Sequence, residues 1–148
     1  MSNKYLKLVT AYLKQPSHYV NYMKLFTQSK VINAEEGKVA IELDVLKEHT
    51  NPMGTLHGGC SATLIDFITS VACIVSPVQK TGVSVDMTIN YLSSAKVGDT
   101  IIVEGNILKL GKRIAFSQGN IYLKKDNSLI VTGLHTIAFP SFVKKFEI

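Results

Sequence analysis

The chain has 148 residues, 46% of them hydrophobic, which is enough for one well-buried core and too little for two ordinary domains. Its net charge of +5 rests on 16 basic residues, of which Arg113 is the single arginine, against 11 acidic ones. Mild basicity carried by lysine allows an anionic ligand, but it argues against sequence-specific nucleic-acid readout, where the planar arginine fork leads.

Residues 1–34 hold five lysines and no acid. Tyr5, Leu8, Val9, Tyr12 and Leu13 share one helical face, so an amphipathic helix packed on the domain is expected, ended by Pro16. A mitochondrial presequence would carry arginine, and this segment has none. A second short helical piece runs near Ser17 to Phe26. Val39, Ile41, Leu43 and Val45 then alternate with polar or small neighbours, the pattern of a half-buried strand. Residues 47–57, rich in His, Thr, Asn, Pro and Gly, read as a loop. A helix follows from about Gly58 to Ser76, closed by Pro77. Beyond it lie four strand-like runs, 82–92, 100–110, 113–124 and 128–139, with Gly98-Asp99, Gly111-Lys112 and Asp126-Asn127 between them as turn signals. Neighbouring strands are therefore expected to be antiparallel.

This order implies an α+β fold: a curved antiparallel sheet, with the last four strands as a meander, wrapped around one long helix. The whole chain reads as a single domain, 1–148, with a helical segment to residue 28, a core over 29–140 and a tail over 141–148. No run of eighteen apolar residues occurs and no signal-peptide core follows Met1, so a soluble chain without stable membrane insertion is expected. Cys60 and Cys73 stand thirteen residues apart in the helix, roughly 20 Å along its axis, too far for a disulfide. Two reduced, buried thiols in an intracellular protein are expected. His18, His49, His57 and His135 show no ligand spacing, and no metal is assigned.

The helix carries the chemistry. Leu64, Ile65, Ile68, Val71, Ala72 and Val75 form a broad apolar face, while Gly59, Ala62, Thr63, Asp66, Thr69, Ser70 and Cys73 form a stripe of small or polar residues. Asp66 on that stripe is either an ordinary solvated carboxylate or a functional one. Just ahead of it, His57-Gly58-Gly59 opens the helix with exposed backbone N–H donors. A glycine pair alone is only a flexible helix start. Joined to a downstream helical carboxylate and to the strand Gly82-Val83-Ser84-Val85-Asp86-Met87, it suggests a place where an oxygen acquires negative charge beside a base. Ser84 lacks a Gly-x-Ser-x-Gly elbow, and strand alternation puts it on the polar side with Asp86, Thr88 and Asn90, so its expected role is positioning.

His49-Thr50-Asn51, Gly54-Thr55-Leu56-His57-Gly58-Gly59, Ala62-Thr63-Leu64-Ile65-Asp66, Gly82 to Met87 and Ala95-Lys96-Val97-Gly98 together resemble the hotdog-fold acyl-CoA thioesterases of the PaaI-like group. The resemblance extends from about Gly37 to Phe139. It implies hydrolysis of an acyl-CoA thioester to a free fatty acid and CoA, with no cofactor, since CoA is part of the substrate. By the same resemblance Gly58 donates to the oxyanion, Asn51 assists, Asp66 activates water or attacks directly, and Ser84 orients it. His57 joins this group with three uses open: bonding the loop, contacting the departing sulfur, or filling space. The resemblance further implies a CoA site along Tyr91, Leu92, Ser93, Ser94, Ala95 and Lys96 and along Lys109, Leu110, Gly111, Lys112, Arg113 and Ile114, with Ser84 and Ala138 as further contacts. Lys109, Lys112 and Arg113 have the charge to pair with phosphates. A solvated basic hairpin is the plain alternative for that second segment. Fatty acid metabolism in the cytoplasm or the mitochondrion is the implied setting.

Helical rise adds a constraint. Asp66 lies eight positions after Gly58, about 12 Å along the axis, whereas base, water and carbonyl carbon need steps of about 3 Å. One chain cannot easily supply both ends, so the expected site is composite, with Asp66 of one subunit facing Gly58 of another across two antiparallel helices. Symmetry then gives two sites per dimer. The resemblance implies such a homodimer, paired further into a tetramer. Two other readings stand beside hydrolysis: a hotdog hydratase or dehydratase, whose usual His with Asp or Glu arrangement is not seen, and a non-hydrolytic acyl-CoA-binding protein.

Overall fold

The computed structural model describes residues 3–147; the outermost residues of the expected 1–148 domain, 1, 2 and 148, lie outside the described residues. Helix α1 spans Lys4–Leu13, capped by the Asn3 side chain on the Tyr5 amide, and buries Val9 and Leu13. Two short 3-10 turns follow, Pro16–Tyr19 and Tyr22–Phe26, in place of one helical piece. Next come β1 (Lys30–Glu35), β2 (Lys38–Asp44), a 3-10 turn at Lys47–His49, and helix α2 (Gly58–Ile74). The chain ends in β3 (Val83–Tyr91), β4 (Thr100–Leu110), β5 (Ile114–Leu123) and β6 (Leu129–Ala138).

All six strands form one antiparallel sheet in the order β1-β2-β4-β5-β6-β3. This is the α+β hotdog architecture, with α2 lying across the sheet. Two expectations need correction. The last four runs are not a four-stranded meander: only β4-β5-β6 meander, and β3 crosses to the far edge to pair with β6. Gly98-Asp99 is no hairpin turn. Gly98 N–H donates to the Val45 carbonyl and Val45 N–H to that of Asp99, which fastens the crossover to the β2–β4 side. β1 escaped the sequence reading because a bulge between Val31 and Asn33 breaks its alternation.

The core lies between α2 and the concave face of the sheet. Leu64, Ile65, Ile68, Val71, Ala72 and Val75 are fully buried, as their spacing predicts. Thr69 and Cys73, on the stripe of small and polar residues, are fully buried too, Cys73 as expected of both thiols. Close approach is made possible by a row of glycines, Gly105, Gly119 and Gly133, paired side by side across β4, β5 and β6. A Cβ on Gly105 would stand 2.5 Å from the Ile68 carbonyl oxygen, and one on Gly119 or Gly133 would stand 3.0 Å from the Ile65 side chain. Among the described residues no helix is long and apolar enough to cross a membrane.

Candidate active site

The start of α2 is organised by His57. Its backbone turns extended just before the helix, and its Nδ1 accepts the Gly59 N–H at 2.8 Å. That cap occupies one of the two glycine donors. The Gly58 N–H meets no acceptor among the described residues and stands as the free donor at the helix end. A Cβ on Gly58 would lie 3.5 Å from the Tyr91 ring. A cavity of about 150 Å³ opens here, lined by Gly58, Ser61, Tyr91, Ser93, Ser94 and Ala95 among others.

Asn51 shapes the loop leading in. Its Oδ1 accepts the Met53 and Thr55 amides at 3.0 and 3.2 Å, and its Nδ2 donates to Thr55 Oγ1 at 2.9 Å. The loop then docks on the β3–β4 crossover through the Leu56 N–H to Ala95 carbonyl bond (2.8 Å) and a bridge between Thr55 and Lys96. Asn51 thus stands on the Gly58 side of the molecule, most of its hydrogen-bonding capacity used within its own loop.

The second cluster surrounds Asp66, whose side chain keeps 45% of its surface exposed. Ser84 Oγ donates to Asp66 Oδ1 at 3.1 Å. His135, fully buried, brings Nε2 to 2.9 Å from Ser84 Oγ and 3.6 Å from Asp66 Oδ1, and its Nδ1 stands 2.7 Å from Thr69 Oγ1. Ser117 Oγ fixes the backbone beneath by donating to the His135 carbonyl at 2.8 Å. Burial pushes the His135 pKa below its ordinary value, and the nearby carboxylates of Asp66 and Asp86 only partly oppose this. The ring is accordingly neutral at pH 7. Both ring nitrogens are engaged, Nε2 by Ser84 Oγ and Nδ1 by Thr69 Oγ1, which fixes the plane of the imidazole. Thr69 Oγ1 donates to the Ile65 carbonyl at 2.8 Å and stands within hydrogen-bond distance of Nδ1.

Ser84 reaches Asp66 because of a bulge, and here strand alternation misleads. The β3–β6 register shifts between Ser84 and Asp86, with Val85 as the extra residue. Ser84 pairs with buried Ile137 and faces the helix, whereas Asp86 pairs with Thr136, Thr88 with Leu134 and Asn90 with Thr132 on the outer face. Ser84 therefore does not share a side with Asp86, Thr88 and Asn90. His135 and Thr69 are the members that sequence reasoning missed. Their signals were a histidine in the inward phase of β6, with Val131, Gly133 and Ile137, and a threonine three residues after Asp66 on the helix.

The remaining expected residues divide between the two clusters. Ala138 pairs with Val83 and Ile114, so the hairpin from Lys109 through Leu110, Gly111, Lys112 and Arg113 to Ile114 stands at the Ser84 end of the sheet. Lys109, Lys112 and Arg113 are exposed and make no ion pair among the described residues. Tyr91, exposed Leu92, Ser93, Ser94, Ala95 and Lys96 stand at the opposite end, beside Gly58. Tyr91 lies seven positions after Ser84 along β3, about 24 Å of strand. A single chain brings Asp66 to Ser84 and Gly58 to Tyr91, but not one pair to the other.

Residues 53–130 match the family model of the thioesterase superfamily. Human acyl-coenzyme A thioesterase 13 is 41% identical over 116 residues, which cover 78% of this chain and 83% of the human protein. Its mouse counterpart is 42% identical over 106 residues, 72% of this chain and 76% of that one. The crystal structure of zebra fish thioesterase superfamily member 2 superposes with a TM-score of 0.85 at 34% identity, covering 93% of this chain and 100% of that one. The mouse member 2 structure gives 0.84 at 35% identity, covering 95% and 100%.

Proposed function

This chain belongs to the thioesterase superfamily, and from that premise we propose that it hydrolyses fatty acyl-CoA to free fatty acid and CoA. The observation that carries the reading is the half-exposed Asp66 carboxylate, held through one oxygen by Ser84, with buried His135 behind it. Oδ2 has no partner among the described residues and is free to take a proton from water. The water oxygen bonds to the thioester carbonyl carbon as Asp66 accepts that proton, and the carbonyl oxygen becomes an oxyanion. A Gly58 N–H is its donor, favoured by the helix dipole. Collapse breaks the carbon–sulfur bond, the CoA thiolate takes up a proton, and the fatty acid leaves. His135 and Thr69 act by keeping Ser84, and through it Asp66, in one orientation.

The oxyanion donor belongs to a second copy in this reading. Support comes from the 12 Å of helix, approximately, between Gly58 and Asp66, and from the split of the CoA-contact residues between opposite ends of β3. Two antiparallel α2 helices then give a homodimer with two shared sites, itself pairing into a tetramer. CoA phosphates are met by Lys109, Lys112 and Arg113 at one end, and the pantetheine arm by Tyr91 to Lys96 at the other. No cofactor takes part, and the substrate sets the protein in an acyl-CoA-containing compartment, cytoplasm or mitochondrion.

Release of free CoA thiol from an acyl-CoA panel tests this. Asp66→Asn is expected to lower turnover by about 10²- to 10⁴-fold. Gly58→Pro removes the proposed donor at a helix position where proline is well tolerated, after a residue already at φ −64° and ψ 134°. It is expected to cost about 10²- to 10³-fold. A parent protein that binds acyl-CoA and releases no thiol would instead be a binding protein.

A further inference from the structure

Tyr22 holds a position that the proposed chemistry leaves unused. Its hydroxyl lies 3.1 Å from Thr63 Oγ1, which in turn donates to the Gly59 carbonyl at 2.8 Å. Thr63 is on the open stripe of α2, one turn before Asp66, and side chains so spaced stand about 5–6 Å apart at Cβ. The phenol therefore bridges the stripe between the helix start and the carboxylate. Ser84 and His135 reach the helix at Asp66 and Thr69, on the other side of the carboxylate along the axis.

The segment that carries Tyr22 is anchored and yet offers apolar surface. Asn21 Oδ1 accepts the Met23 N–H at 2.8 Å, the Leu25 carbonyl is bonded by His49 Nε2 at 3.1 Å, and buried Phe26 stacks on Phe67 with ring centres 5.7 Å apart. Tyr22 is nevertheless 63% exposed, beside Tyr19 at 53% and Val20 at 86%. The backbone is thus fixed, while the exposed ring is held at the stripe by one hydroxyl.

We propose that Tyr22, tethered to Thr63, is a specificity-determining residue that limits the length of acyl chain the site accepts. The inference rests on the acyl-CoA reading above. A chain leaving the carbonyl at Asp66 away from Ser84 runs along Thr63 and Ala62 and meets the Tyr22 ring within one turn. Short acyl groups end before it, and longer ones must displace it and break the Thr63 bond.

Calorimetric titration with S-butyl-CoA and S-dodecyl-CoA tests this without hydrolysis, because these thioethers have no carbonyl. In Tyr22→Ala the dodecyl-to-butyl affinity ratio is expected to rise about tenfold, the value of burying about two further methylenes. Tyr22→Phe and Thr63→Val, which cut the tether and keep the ring or its neighbour, are expected to raise it about threefold. A ratio in Tyr22→Ala that is unchanged or falls overturns the proposal. Failure of the parent protein to bind either thioether overturns it together with the acyl-CoA reading. Binding by a parent that releases no thiol from acyl-CoA removes hydrolysis alone, and the ratio still decides the role of Tyr22.

Discussion

The Asp66, Ser84, His135 and Thr69 cluster places one neutral imidazole where the outermost oxygen needs a fixed direction. Such a residue acts on geometry and not on substrate. His135→Gln is expected to lower kcat by about 10- to 100-fold with a smaller change in KM, as a slightly misplaced base would. The same ring sets a pH dependence. Its folded-state pKa lies below the unfolded value because burial disfavours the charged form, so the unfolded chain takes up a proton first. Stability is thus full above about pH 6.5 and declines as pH falls toward the folded-state pKa. His18, also held low mainly by burial, adds to that slope. Urea midpoints measured between pH 7 and pH 5 should fall less steeply in His135→Gln than in the parent. The free donor at Gly58 and the part-exposed carboxylate of Asp66 were legible in the sequence, since a glycine pair at a helix start and a carboxylate on a small-residue stripe are both local patterns. His135 was not. A lone histidine among apolar strand residues has no local signature, and only the β3–β6 register shows what it touches.

At the scale of elements, α2 is seated on β4, β5 and β6 through the row of Gly105, Gly119 and Gly133. Gly105→Ala would press a methyl group into the Ile68 carbonyl, and one of the two backbones must shift to make room. A loss of about 1–3 kcal/mol in unfolding free energy is expected, read as a lower urea midpoint at unchanged slope. The buried face of the same helix holds both thiols. Burial pushes Cys60 up to about 11 and Cys73 up to about 12, which leaves almost no thiolate at neutral pH. Iodoacetamide at pH 8 is accordingly expected to label neither cysteine in the folded protein and both after unfolding, as counted by mass spectrometry. The helix and the four late strands were legible because periodicity and turn residues mark them within a few positions. The strand order was not, since a turn signal such as Gly98-Asp99 reads alike in a hairpin and in a crossover. The bulges at Ile32 and Val85 each defeat simple alternation, hiding β1 in one case and reversing Ser84 in the other.

For the whole molecule, complementation decides whether the proposed sites are shared. Equal amounts of Asp66→Asn and Gly58→Pro chains, mixed under conditions of confirmed subunit exchange, should regain about 25% of parental activity. Half of the random dimers are then mixed, and each has one intact site of two. Full inactivity after exchange would place each site within a single chain and overturn the composite arrangement. The separation of Gly58 from Asp66 was legible from helical rise alone; the length of β3, which parts the two segments proposed to meet CoA, needed the structure. The span of that strand has a kinetic consequence. If its two ends act only when joined by another copy, the association equilibrium enters the rate law itself. At chain concentrations far below the dimer dissociation constant, turnover per volume rises with the square of concentration, and far above it with the first power. Dilution then silences every chain without altering a single fold.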